Sequence, residues 1–389
     1  MFLGIYFFRR FSLAVSLLLF VFSCLYIRER NNSLRQCSLI RWLAPFLGMS
    51  ILSMAWASNM SIALQSNISL LQRGIFAVIT YYLITTEKRI EDVWNCLLLG
   101  GIGVIVCVLA FYGVEGLRRF FLGLSESRLG GEIINVNVIG FALQVTGILA
   151  WYRYRCGKSP WAYLLLLLIC FVLIIATGGR SSLIGLILAM ILLKRQGTNR
   201  MGLFFPVFLV LFVFIIVYYW TPKSLRRFED ATQMIAGEVE VRGSVRSRLD
   251  YVRFGVRKII KNPLFGFGAG QFRYHWFLEN GYYISSHNNY IEVLFSYGIL
   301  GFFLWYGMLL DALFGLRKRK TNSTQLLFTL LCVRLISDFS GHSIGSIFPY
   351  LLLGISFSMI DRQSETESKI VNALDSDSLP DNGAHSSNL

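Results

Sequence analysis

The chain has 389 residues, 55% hydrophobic, 15% aromatic and 15% charged, with a formal net charge of +15. Ordinary soluble domains are about 45–50% apolar and about 25% charged, so this composition excludes a soluble globular enzyme. It does not indicate a nucleic-acid partner either, because most of the basic residues sit in short clusters between apolar runs, where they act as topology signals.

The apolar runs are about as long as a bilayer is thick, roughly 20 residues for a core of about 30 Å. FSLAVSLLLFVFSCLYI (11–27), WAYLLLLLICFVLIIAT (161–177) and LFFPVFLVLFVFIIVYYW (203–220) are the clearest. In chain order the predicted spans are 11–27, 40–57, 68–86, 93–113, 134–152, 161–177, 181–195, 203–220, 288–315, 323–339 and 343–360. The start lacks a small-residue cleavage site and reads as a retained span; MFLGIYFF ahead of it gives room for a twelfth. The fold class is therefore all-α, a polytopic transmembrane bundle of about 11–12 spans over residues 1–360. The seven cysteines lie mostly inside apolar runs without a CxxC pair, so neither a disulfide framework nor a metal site is expected.

Short loops rich in Lys and Arg mark the cytoplasmic side. They hold Arg28, Arg30 and Arg35, Lys88 and Arg89, Arg153 and Arg155, Lys194 and Arg195, and the Arg317–Lys320 cluster. The polar tail, 361–389, falls on the same side and is expected to be disordered. One loop breaks the charge pattern. Residues 221–287 fall outside yet carry 11 Lys or Arg against six acids. Long loops cross regardless of charge, and an anionic ligand at the outer surface explains the excess. Within this loop SRLDYVRFGVRKIIKN has apolar residues at Leu249, Val252, Val256, Ile259 and Ile260, steps of three and four that predict an amphipathic helix on the membrane surface or on the bundle. NPLFGFGAGQF follows as a tight turn, with a phosphate cradle as the alternative.

Polar groups at the expected outer ends of spans are the candidate site. Arg180, in TGGRSSLIG, joins two tightly connected spans; it either snorkels to headgroups or clamps an anion. Arg246 and Arg248 open the amphipathic helix, at an end that already favours anions. His287, in SSHNNYIEVLF, precedes a helix whose positive end biases imidazole toward its neutral, proton-accepting form. His275 and His342 are weaker candidates, and His385 lies in the tail. Arg334 and Asp338 stand four residues apart near an outer end, as an internal salt bridge or with Asp338 orienting a catalytic group. Arg128, Asn135 and Asn137 stand at another helix entrance, where an Asn caps the helix or binds sugar hydroxyls. Arg73 lies within a span, close to its outer end.

LSMAWASNMSIAL, SRLGGEIINVNVIGFAL, TGGRSSLIGLILA, RSRLDYVRFGVRKIIKNPLFGFGAGQF and HNNYIEVLFSYGILGFFL occur in this order over roughly residues 45–360. That order resembles the O-antigen ligase/polymerase superfamily of bacterial membrane glycosyltransferases. The resemblance implies a bundle of about twelve spans in the cytoplasmic membrane with its active site facing outward. It implies a glycan donor on undecaprenyl pyrophosphate and a saccharide acceptor, either a lipid-linked repeat unit or lipid A core. It implies that Arg180 and Arg248, with Arg246 as neighbour, hold the pyrophosphate, that His287 is the base, and that Asp338 matches a further family acid. Transfer would invert the anomeric centre without nucleotide sugar, metal or other cofactor. NPLFGFGAGQF and the long basic loop lean toward a repeat-unit polymerase over a ligase. A transporter or flippase of lipid-linked glycan is the competing class; it would need polar groups at mid-membrane and an internal repeat, and neither stands out.

Overall fold

A computed structural model describes residues 37–121, 129, 135–157, 160–193, 244–318, 321–341 and 343–377. The spans expected at 11–27 and 203–220, the start of the large loop, Arg128, His342 and His385 lie outside the described residues.

The described residues are helical, with no strand. In order they form α1 (Ser38–Leu52), a 3-10 turn (Ser53–Trp56), α2 (Met60–Leu83), α3 (Glu87–Phe121), α4 (Val136–Arg155), α5 (Pro160–Thr177) and α6 (Arg180–Leu192). After the undescribed segment come α7 (Ser244–Ile259), α8 (Phe272–Asn280), α9 (Asn289–Arg317), α10 (Asn322–Ser337) and α11 (Phe348–Asp377). Ser38–Trp56, Met60–Leu83, Glu87–Gly113 and Asn289–Arg317 are long and apolar enough to cross a bilayer, and α5 and α6 are shorter apolar helices. The protein is an integral helical membrane protein.

Asparagine and threonine caps start several helices. The side chains of Asn59, Asn135 and Asn288 accept from the backbone N–H of Ile62, Asn137 and Ile291, and Thr321 and Thr324 form a capping box. α4 packs closely on α5 and α6, α2 on α11, and α9 on α1, α7 and α10. Apolar residues from all the spans merge into one core that includes Phe46, Trp94, Trp151, Trp305 and Tyr350.

The span read at 288–315 corresponds to α9, and Gly298, with φ 62 and ψ −165, breaks that helix. The break frees backbone groups that hydrocarbon cannot satisfy, and the segment after α7 satisfies them. Phe267 and Gly268 donate to the carbonyls of Phe295 and Ser296 at 2.8 and 2.9 Å, and Ile299 donates to Pro263 at 2.8 Å. A Cβ on Gly266 or Gly298 would overlap backbone atoms of the other segment. The glycines of NPLFGFGAG thus splice a broken helix, and their positive φ values serve that close approach. α11 runs to Asp377, within residues 361–389. Midway along it Asp361 accepts from Ser38 N–H (2.9 Å) and Tyr81 OH (2.7 Å), which ties α11 to α1 and α2.

Candidate functional site

The reversal between α5 and α6 is a Schellman turn. Gly178 (φ 67) donates to Ile175 and Gly179 donates to Ile174, which ends α5 and makes Arg180 the first residue of α6. A cation at a helix N-terminus opposes the helix dipole, so the placement favours an anion at this spot.

α7 is an amphipathic helix as expected, but Val256 and Ile260, two residues of the expected apolar face, are exposed. Its buried face carries Tyr251 and Phe254 into a second, aromatic cluster with Phe272, Trp276, Ile291 and Phe295. Arg248 lies one turn before Tyr251 on that face and is half-buried, while Arg246, two residues earlier, turns to the exposed side. The spacing therefore separates the two arginines that the sequence left side by side. Burial lowers the proton affinity of Arg248, and the nearby Arg180 guanidinium lowers it further, with Tyr251 opposing. Arg180 and Arg248, 68 positions apart in sequence, so share one field. Among the described residues, no carboxylate forms an ion pair with either.

His287 meets this group from the other side of the loop. Its ring lies 6.0 Å, centroid to centroid, from that of Tyr251. Its φ of 52 makes it the one non-glycine residue at positive φ among the described residues. Such strain persists only where neighbours over-determine it, and here they do. Glu292 accepts from Ser286 N–H and Oγ–H at 3.2 and 2.7 Å. Asn288 caps α9. Asn289 donates its N–H to Asp338 O at 2.8 Å, and its Oδ1 accepts from Ser343 and Ile344 at 3.0 and 2.9 Å.

Asp338 is fully buried. It accepts from Arg334 Nε (2.9 Å) and Nη2 (2.6 Å), Tyr306 OH (3.1 Å) and Asn289 Nδ2 (3.2 Å). The internal salt bridge is present, and it anchors the helix start behind His287. Asn137 is exposed and donates its backbone N–H to the Asn135 cap. His275 bonds Ser58 at 3.2 Å, and burial lowers its pKa.

Arg73 faces a cavity of about 230 Å³, lined also by Arg273, Glu292 and several serines. Arg273 is one of the 11 basic residues of the loop, and neither it nor Glu292 is among the expected site residues. A lone acid inside the apolar run NNYIEVLFSYG is itself a signal that marks a site, because an ionisable group within a span is costly.

Residues 165–306 match the O-antigen ligase family, a span that includes Arg180, Arg248, His287 and Glu292. The chain is thus similar to the O-antigen ligase/polymerase superfamily. No curated protein matches the chain.

Proposed function

We propose that this protein is a glycosyltransferase of the O-antigen ligase/polymerase type. It moves a glycan from undecaprenyl pyrophosphate to an acceptor sugar hydroxyl at the outer face of the cytoplasmic membrane. The gathering of Arg180, Arg248 and His287 beside apolar spans carries the reading, and the family match at residues 165–306 supports it. The two guanidiniums grip the diphosphate and offset the charge that grows on it as the sugar–phosphate bond breaks. His287 accepts the proton of the acceptor hydroxyl, which attacks the anomeric carbon from the face opposite the diphosphate and inverts it. Undecaprenyl pyrophosphate leaves, and neither a nucleotide sugar nor a metal takes part. Asp338 and Glu292 hold the loop that presents His287. A repeat-unit polymerase is favoured over a lipid A core ligase on the long basic loop that ends in NPLFGFGAGQF.

A broken span such as α9 is also a transporter device. Here, however, the break is closed by backbone hydrogen bonds from residues 263–268, which favours a static scaffold. The test is transfer by purified protein from an undecaprenyl-pyrophosphate oligosaccharide to either acceptor. A ladder of lengthened glycan identifies the polymerase, and a glycosylated lipid A core identifies the ligase. His287→Ala is expected to insert normally and lose transfer; full turnover in that variant ends its assignment as base.

A further inference from the structure

The cavity around Arg73 does not include Arg180, Arg248 or His287 in its lining, yet it borders the His287 loop through Ser285 and Glu292. Arg73 comes from α2 and Arg273 from α8. Neither forms an ion pair or hydrogen bond among the described residues. An arginine within a span is costly without a partner, so two arginines facing one polar cavity imply an anion that enters it. Glu292 sits in the same wall, so with all three ionised the lining carries one net positive charge. That matches a single carboxylate better than a diphosphate. Gln65, Ser66, Ser69, Ser285 and Ser296 complete the lining with groups that both donate to and accept from hydroxyls. The cavity, about 230 Å³, is below the range of about 300–1,000 Å³ typical for drug-sized ligands and suits one sugar ring.

We propose that this cavity is a subsite for one carboxylate-bearing sugar residue, of the hexuronic acid class. Arg73 and Arg273 take the carboxylate, while Glu292 and the serines take ring hydroxyls. Which molecule carries that sugar rests on the proposed transfer reaction: beside the His287 loop it belongs to the acceptor. Binding itself is independent of transfer and is tested without it.

The experiment is calorimetric titration of the purified full-length protein in detergent with methyl glucuronide, methyl glucoside and inorganic pyrophosphate. Methyl glucuronide is expected to bind, and methyl glucoside, which has a hydroxymethyl group in place of the carboxylate, to bind roughly tenfold to a hundredfold more weakly, as loss of a charged hydrogen bond predicts. Arg73→Gln and Arg273→Gln are expected to reduce glucuronide binding by a similar factor. Arg273 lies on the short loop helix α8, so Arg273→Gln carries the test alone if Arg73→Gln fails to fold. His287→Ala is expected to bind glucuronide as the wild type does while losing transfer, which separates failure of the subsite from failure of the enzyme assignment. Equal binding of glucuronide and glucoside overturns the proposal, as does no glucuronide binding at millimolar concentration. Pyrophosphate binding that is lost with Arg273→Gln would make the cavity a phosphate site and overturn it equally.

Discussion

Two sets of charges in the bundle are handled in opposite ways. At the end formed by the start of α3 and the close of α4, buried Arg153 is matched. It pairs with Glu91, donates to Asn95 Oδ1 at 2.7 Å, and Tyr152 OH joins the same glutamate at 2.9 Å. Near α7, α8 and the start of α9, Arg180 and Arg248 share one field and Arg73 and Arg273 line one cavity, and none of the four forms an ion pair among the described residues. Charges answered within the protein hold a fold together, and their removal leaves a buried partner stranded. Charges left for an external partner are a standing cost, and removing one eases the fold while it destroys the site. Arg334 and Asp338 show that both kinds occur near the same loop end.

The largest expected effect tests the paired class. Asp338→Ala leaves Arg334 buried without its carboxylate and should cost about 3–5 kcal/mol of stability, read as lost yield or a lowered unfolding midpoint. A folded Asp338→Ala protein with normal stability and no transfer would move Asp338 out of the scaffold and into contact with substrate. Next comes the open class. Arg248→Ala should lower transfer by roughly a hundredfold to a thousandfold, the scale for one lost transition-state donor. Its unfolding midpoint should stay level or rise, because a half-buried cation near Arg180 has been removed. Arg246→Ala, on the exposed face, should change neither. If Arg248→Ala unfolds as readily as Asp338→Ala, the distinction between paired and open charges fails.

Much of the scaffold was legible because bilayer thickness fixes the length of an apolar run. The runs at 40–57, 68–86, 161–177 and 323–339 each correspond to a helix. That α7 is a helix was legible from its three-and-four spacing, but its buried face was not: Tyr251 and Phe254 reach the aromatic cluster, while Val256 and Ile260 of the expected face are exposed. The break at Gly298 was not legible. A glycine in SYGILG is compatible with a continuous span, and only the tertiary hydrogen bonds from residues 263–268 select the broken form. For the site, sequence marks a charge but not its partner. It could not separate Arg246 from Arg248 until the helix phase was known, nor bring Arg273 to Arg73 across some 200 intervening positions.

The smallest expected effect lies in the α7–α8 pairing, and its sign follows from two groups. Hydrogen bonding to Lys258 comes first in holding Glu279 below the usual carboxylate range, with Arg257 adding and burial opposing. A depressed acid contributes stability above its unfolded pKa and loses it as pH falls through the folded value. Because Glu279 is 37% exposed, solvent screens much of that contribution. Burial lowers the pKa of His275, Lys258 lowers it further, and Glu279 opposes. The unfolded chain therefore binds a proton at this residue before the fold does, and stability falls as pH drops below about 6.5. Both groups act in one direction, but Glu279 acts only below about 4.3, so near neutrality it is His275 that should loosen α8 and, through the shared aromatic cluster, α7. Hydrogen exchange checks this between about pH 7.5 and about pH 5.5, after correction for the intrinsic rate. Protection of α7 and α8 should decline, while that of α5, which contains no Asp, Glu, Lys, Arg or His, should hold. Flat protection in α7 and α8 would show that the scaffold beneath Arg248 is insulated from pH.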